Sequence, residues 1–143
     1  MLVIGYGNTL RGDDGVGFVA AEQLNRTICR PDARVIACQQ LTPDLAKDVS
    51  DTERLILIDA IRGDQPENLL IRRIVPIQSQ PAFGHELLPE TLLAFSQQLY
   101  NSCPETLLVS VRGHSFNLSQ SLSHQVARTL PRLKQQVLEL MNM

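Results

Sequence analysis

Three features of the sequence predict an α/β three-layer sandwich: a mainly parallel, twisted sheet of about five strands, helices on both faces, and one antiparallel edge strand. Short apolar runs alternate with segments of helical periodicity. One of those runs, RLILI at 54–58, is almost continuously apolar, as a strand covered on both faces must be. The length of 143 residues, 43% of them hydrophobic, suits one core, so residues 1–143 are expected to form a single domain.

Taken in order, Leu2–Ile4 reads as a first strand that stops at Gly5, after which Val16, Val19, Ala20 and Leu24 recur at helical spacing. Arg34–Cys38 offers a second strand. Thr42, Pro43 and Asp44 then supply an N-cap, a first-turn proline and an acid matched to the helix dipole, for a short helix through Val49. The third strand is Arg54–Ile58, and it terminates in Asp59, a carboxylate where the apolar pattern calls for none. After the turn-like GDQPEN, the run LLIRRIV at 69–75 carries two central arginines, which assign it to a half-exposed sheet edge, antiparallel to its predecessor. Pro89 opens a helix carrying Leu92, Phe95 and Leu99, and Thr106–Val111 is the last strand. Leu122, Val126, Leu130, Leu133, Val137 and Leu140 stripe a final helix, which Pro131 is expected to kink or divide.

Charge narrows the partners. Thirteen Lys and Arg against fifteen Asp and Glu give a formal net charge of −2 with no run of like charge, so neither nucleic acid nor an anionic membrane is an expected partner. The opening MLVIGYG has no basic n-region, and its apolar run falls far short of the ~20 residues of a spanning helix. A cytoplasmic monomer without signal peptide or anchor is expected. Cys29, Cys38 and Cys103 are odd in number and lack C-x-x-C spacing, which suits reduced structural thiols.

The stretch GYGNTLRGDDGVG, 5–17, holds the first chemical signal. A glycine-rich turn after a short strand normally invites a phosphate, but Leu10 stands where the dinucleotide fingerprint needs its third glycine, and no P-loop lysine with serine or threonine is present. Asp13 and Asp14 at the helix mouth would also repel a pyrophosphate. The turn, shaped by Gly5, Gly7 and Asn8, is therefore built for a cation or a basic segment. Ligands of open α/β sheets gather beyond the carboxyl ends of the strands, where strand order reverses. Asp14 follows the first strand, Asp59 ends the third, and His85 precedes a helix start, so two carboxylates and an imidazole converge as an open metal site with positions left for water or substrate. Each has a plainer reading: Asp13 as a supporting cap of the first helix, Asp14 as a partner of its dipole, Asp59 as an acceptor of loop amides, His85 as a loop residue. Convergence favours the metal. Ser110, His114 and Ser115 cluster near one strand end, but sequence proximity does not make a nucleophile, base and orienter, and Cys38 is better read as a structural thiol.

With QLTPDLA at 40–46, LILIDA at 55–60, HELLPETLL at 85–93 and FNLSQSLSHQV at 116–126, the glycine-rich stretch completes an ordered set of motifs that resembles the nickel-iron hydrogenase maturation proteases over most of the chain. Within that family the sequence most resembles the cyanobacterial type that serves the bidirectional hydrogenase. The resemblance implies an endopeptidase that removes the carboxyl-terminal extension of the hydrogenase large-subunit precursor after nickel insertion. It places metal recognition and catalysis on Asp14, where many relatives have Glu, on Asp59 and on His85. The nickel is then supplied by the substrate precursor, and another divalent cation in a purified sample would mimic it. Substrate contacts are expected from Gly5, Gly7, Asn8 and Asp13, with Gln39 and Gln40 offering amide hydrogen bonds to substrate backbone.

Several positions depart from the family pattern. Cys38, Gln39 and Gln40 stand where many relatives have Asp and glycines, so a third carboxylate is not carried over. Leu88 replaces the usual Ser before Pro-Glu, removing a cap side chain near His85. Asn117, Ser119, Gln120 and Ser121 occupy positions commonly acidic or glycine, His114 is an added titratable group, and His124 is expected to face solvent. Two other classes fit parts of the pattern: a noncatalytic nickel-binding chaperone or adaptor, and a receiver-like module with a magnesium-dependent phosphoacceptor at Asp59. The second lacks a lysine after the last strand, where Arg112, Gly113 and His114 stand.

Overall fold

In the computed structural model, which describes residues 1–64, 66–77 and 87–143, the strands β1 (Leu2–Tyr6), β2 (Arg34–Cys38), β3 (Arg54–Ile61), β4 (Leu69–Ile74) and β5 (Glu105–Arg112) form one sheet in the order β2-β1-β3-β5-β4. Three neighbouring pairs are parallel, and β4 runs antiparallel to β5 at the edge. The predicted three-layer α/β architecture is the one observed.

Alternation along the strands divides the core in two. Leu2, Ile4, Leu55, Leu57 and Leu108 face α2 (Leu45–Ser50) and α3 (Pro89–Tyr100), packing with Ala46, Val49, Leu92 and Leu93. Val3, Ile56, Ile58, Val109 and Val111 face the other way, against Val16, Ala20 and Leu24 of α1 (Val16–Thr27) and Val126, Leu133 and Val137 of α4 (His124–Met141). Central strands therefore read as continuous apolar runs because both faces are covered. The edge strand β4 does not: Arg72 and Arg73 are exposed, and only Ile74 is buried.

Helix α1 lies unusually close to the sheet. A Cβ on Gly17 would stand 2.3 Å from the Ile58 carbonyl oxygen and 2.5 Å from that of Tyr6, and one on Gly5 would stand 2.0 Å from the Gly17 carbonyl oxygen. These glycines serve helix-to-strand contact, which gives Gly5 of the G-x-G a packing role independent of any phosphate.

Four local expectations need correction. β3 continues past Asp59 to Ile61, because β5 supplies partners through Arg112 while pairing with β1 stops at Gly5 and Ile58. Thr42 makes no side-chain cap: the amides of Leu45 and Ala46 bond the carbonyls of Thr42 and Pro43 in tight turns, and α2 proper begins at Leu45. Leu99 is 64% exposed, since α3 buries Leu92, Leu93 and Ser96 instead. Pro131 does not divide α4, which runs as one element; the proline lies on the exposed side, where the unpaired carbonyl one turn back can meet water.

Candidate functional site

The polypeptide passes from β2 on one side of β1 to β3 on the other, so strand order reverses between β1 and β3. Crevices at such switch points, beyond the carboxyl ends of the strands, are where open α/β sheets take ligands. A pocket of about 210 Å³ opens there. Its walls are Tyr6 and Gly7 after β1, Asp14 in the turn before α1, Leu41 after β2, Asp59, Ala60 and Arg62 from the end of β3, Leu87, Leu88 and Pro89 at the start of α3, and Phe116 after β5.

Two of the three predicted ligands, Asp14 and Asp59, meet in this pocket. His85 lies outside the described residues. Asp59 is half-buried and accepts the Tyr6 hydroxyl at Oδ2, 3.0 Å away. Tyr6 is buried, with 8% of its surface exposed, and shares the face of Leu2 and Ile4, so period-two alternation aims its ring and Asp59 to the same side of the sheet. Asp14 is also half-buried, and its Oδ2 accepts the Asn8 amide at 2.8 Å. That bond closes the glycine-rich turn on itself. Asn8 adds a second fastening, its Oδ1 accepting the Leu10 amide at 2.9 Å, and Gly7 adopts φ +150 where a Cβ would stand 1.8 Å from the Asp14 carbonyl oxygen. Gly7 and Asn8 thus shape the turn that presents Asp14.

Asp13 behaves differently from its expected role. Neither the 3-10 turn Gly12–Gly15 nor α1 has a side-chain cap, so Asp13 does not cap the first helix. Its fully buried carboxylate crosses to the segment before α4, accepting the amides of His114 (2.8 Å), Ser115 (2.9 Å) and Ser123 (2.7 Å) and the Ser123 hydroxyl (2.7 Å). Ser123 in turn accepts the Val126 amide and caps α4. Burial alone raises a carboxyl pKa, but the hydrogen bonds from Ser123, His114 and Ser115 outweigh it and hold Asp13 below its ordinary value. Enclosed this way, Asp13 faces no open space in the pocket and acts through the segment it holds, which carries Phe116 of the pocket wall.

The expected amide contacts divide similarly. Gln39 accepts the Thr9 amide (3.2 Å) and donates to the Thr9 hydroxyl (3.1 Å), so its amide braces the glycine-rich turn, while Gln40 is exposed beside it.

Among the described residues, conventional nucleophiles are poorly placed. Burial, with Asp44 nearby, pushes the Cys38 thiol up, and burial pushes Cys103 up as well, which keeps both protonated and weakly nucleophilic. Ser110 is buried in β5 opposite Asp59, His114 and His124 are exposed, and among the described residues no serine hydroxyl is hydrogen-bonded to a histidine ring. Nor do three or more His, Cys, Asp or Glu residues cluster as a complete metal site among the described residues. The pocket offers two carboxylates and space for further ligands.

Tyr6, Arg62 and Phe116 belong to the site and escaped the sequence reading. Tyr6 had a signal, a polar aromatic between two glycines at a strand end. Arg62, three residues beyond Asp59, meets Phe116 from 54 positions later only through the fold: its guanidinium lies 4.0 Å from the ring centroid.

No protein-family model and no curated protein matches the sequence. Solved structures do. The NiFe hydrogenase maturation protease HycI from Thermococcus kodakarensis matches with a TM-score of 0.80 at 20% identity, over 99% of this chain and 92% of that one. The hydrogenase maturating endopeptidase HybD from E. coli gives 0.73 at 24% identity, over 99% and 91%. A hydrogenase 2 maturation peptidase from a Thaumarchaeota archaeon gives 0.68 at 26% identity, over 98% and 96%. Over nearly its whole length, the chain has the fold of the hydrogenase maturation proteases.

Proposed function

We infer that the chain is an endopeptidase that removes the carboxyl-terminal extension of a nickel-iron hydrogenase large-subunit precursor after nickel insertion. The observation that carries this reading is the meeting of Asp14 and Asp59, 45 positions apart, in one pocket at the strand-order switch point of a fold shared with maturation proteases. Asp14, Asp59 and His85 recognise nickel that the precursor brings; Leu87, Leu88 and Pro89, which follow His85 in sequence, line the same pocket. Carboxylate and imidazole donors suit a divalent first-row ion, and an incomplete set leaves room for the precursor's own ligands. Such an ion supplies polarisation of a peptide carbonyl or a water of lowered pKa, which accords with the lack of an activated serine or cysteine among the described residues. The bidirectional hydrogenase precursor is the substrate to try first.

The chaperone reading shares the pocket and differs in outcome. The receiver-like reading loses support from Asp13, whose carboxylate is enclosed by four protein donors and has no face for magnesium.

The test is incubation of the purified protein with the precursor, nickel-loaded and nickel-free, followed by intact masses of both. Loss of one carboxyl-terminal peptide from the loaded precursor alone is expected. Asp14→Ala, Asp59→Ala and His85→Ala are expected to abolish that loss with the circular dichroism spectrum retained. An uncut, verified nickel-loaded precursor would defeat the protease reading, and tight nickel binding by the protein alone would then favour the chaperone.

A further inference from the structure

The geometry points to Arg62 as the anchor for a carboxylate of the bound precursor segment, an assignment that rests on the protease reading above. Arg62 is exposed at the rim of the pocket that holds Asp14 and Asp59. A cation beside these two carboxylates is favourable while the pocket is empty but repels an incoming divalent ion, a repulsion that a negative group arriving with the substrate would offset. The arginine is not neutralised by either aspartate: among the described residues it forms no salt bridge, and its ring contact with Phe116 is its one specific interaction.

That contact is built by the fold. Phe116 rests on Gly113, where a Cβ would come within 2.3 Å of the ring, and the guanidinium covers the ring at 4.0 Å from its centroid. The Gly113 amide donates to the Ile61 carbonyl (3.0 Å), tying the phenylalanine's platform to the residue before Arg62. Stacking holds the planar fork in place while leaving its N–H donors available, and such a fork matches a carboxylate with two parallel hydrogen bonds. Asp14 and Asp59 would thus meet the metal, and Arg62 a side-chain or terminal carboxylate of the same precursor, fixing its register in the pocket.

Equilibrium binding of the nickel-loaded precursor, measured beside its cleavage by intact mass, tests this in wild type, Arg62→Gln, Arg62→Lys and Phe116→Leu. Arg62→Gln is expected to weaken binding about tenfold, with the loss in KM rather than kcat, as removal of one charge-assisted pair should. Arg62→Lys should recover part of the affinity, since it keeps charge but not the fork, and Phe116→Leu should fall between wild type and Arg62→Gln. Raising salt should weaken wild-type binding more than that of Arg62→Gln. Equal affinities for wild type and Arg62→Gln, with circular dichroism unchanged, would overturn the assignment whatever the cleavage result. Arg62-dependent binding of a precursor that is never cut would leave the anchor standing and remove the protease reading alone.

Discussion

Asp13 and Asp14 are neighbours in sequence with opposite environments. Asp14 stays half-exposed in the pocket, whereas Asp13 is enclosed and holds the segment that carries Phe116 and leads into α4. Because its folded pKa is depressed, Asp13 contributes stability in full above the ordinary carboxyl pKa of about 4, and that contribution is lost as pH falls through the lower folded value. Asp13→Asn should cost roughly 2–4 kcal/mol at pH 7, because a neutral amide accepts fewer bonds and presents N–H groups to donors. Urea denaturation at pH 7 and pH 3 should show that gap narrowing as the wild-type carboxylate titrates. A pH-independent gap would assign the effect to packing. The adjacent pair was legible as a cation-favouring turn, but which aspartate faces outward depends on donors about a hundred positions away.

Among the elements, α3 starts without a side-chain cap. Leu88 occupies its N-cap with extended backbone and no side-chain hydrogen bond, and it is 57% exposed on the pocket wall. Leu88→Ser should stabilise the protein by about 1 kcal/mol by giving the first turn an acceptor. A raised thermal midpoint checks this, and an unchanged one would mean that apolar contacts of Leu88 offset the missing cap. Element types were readable throughout because each carries its period: alternation in strands, a 3.6-residue stripe in α4, arginines on the edge. Misreadings fell where neighbours decide. Leu99 fits a helical stripe, yet it stays 64% exposed on α3. The end of β3 depends on β5 outlasting β1 in the sheet.

At the scale of the molecule, the close seat of α1 on β1 and β3 places Asp14 relative to Asp59. Gly17→Ala would drive a methyl into the carbonyl oxygens of Ile58 and Tyr6, backbone atoms that cannot rotate away. The helix must lift, at a cost of roughly 3 kcal/mol or more. Because the Asp14 turn leads directly into α1, cleavage of the nickel-loaded precursor should fall as well. The checks are the denaturant midpoint and the cleavage rate at a temperature where the variant is fully folded. Wild-type stability would show that the helix can shift freely, and would remove close helix-to-strand contact as the reason for glycine at position 17.

By itself the sequence determined the layer architecture, the antiparallel edge and the candidacy of Asp14 and Asp59, because burial on two faces and charge in an apolar run are local patterns. The tertiary structure decided which groups share a pocket. Tyr6 reaches Asp59 across two parallel strands, Arg62 stacks on a ring from a distant loop, and Asp13 turns away to buried amides. Those choices depend on strand order and on how closely α1 approaches the sheet. Both follow from long-range packing, where the energy of a side chain is set by neighbours that its own stretch of sequence does not contain.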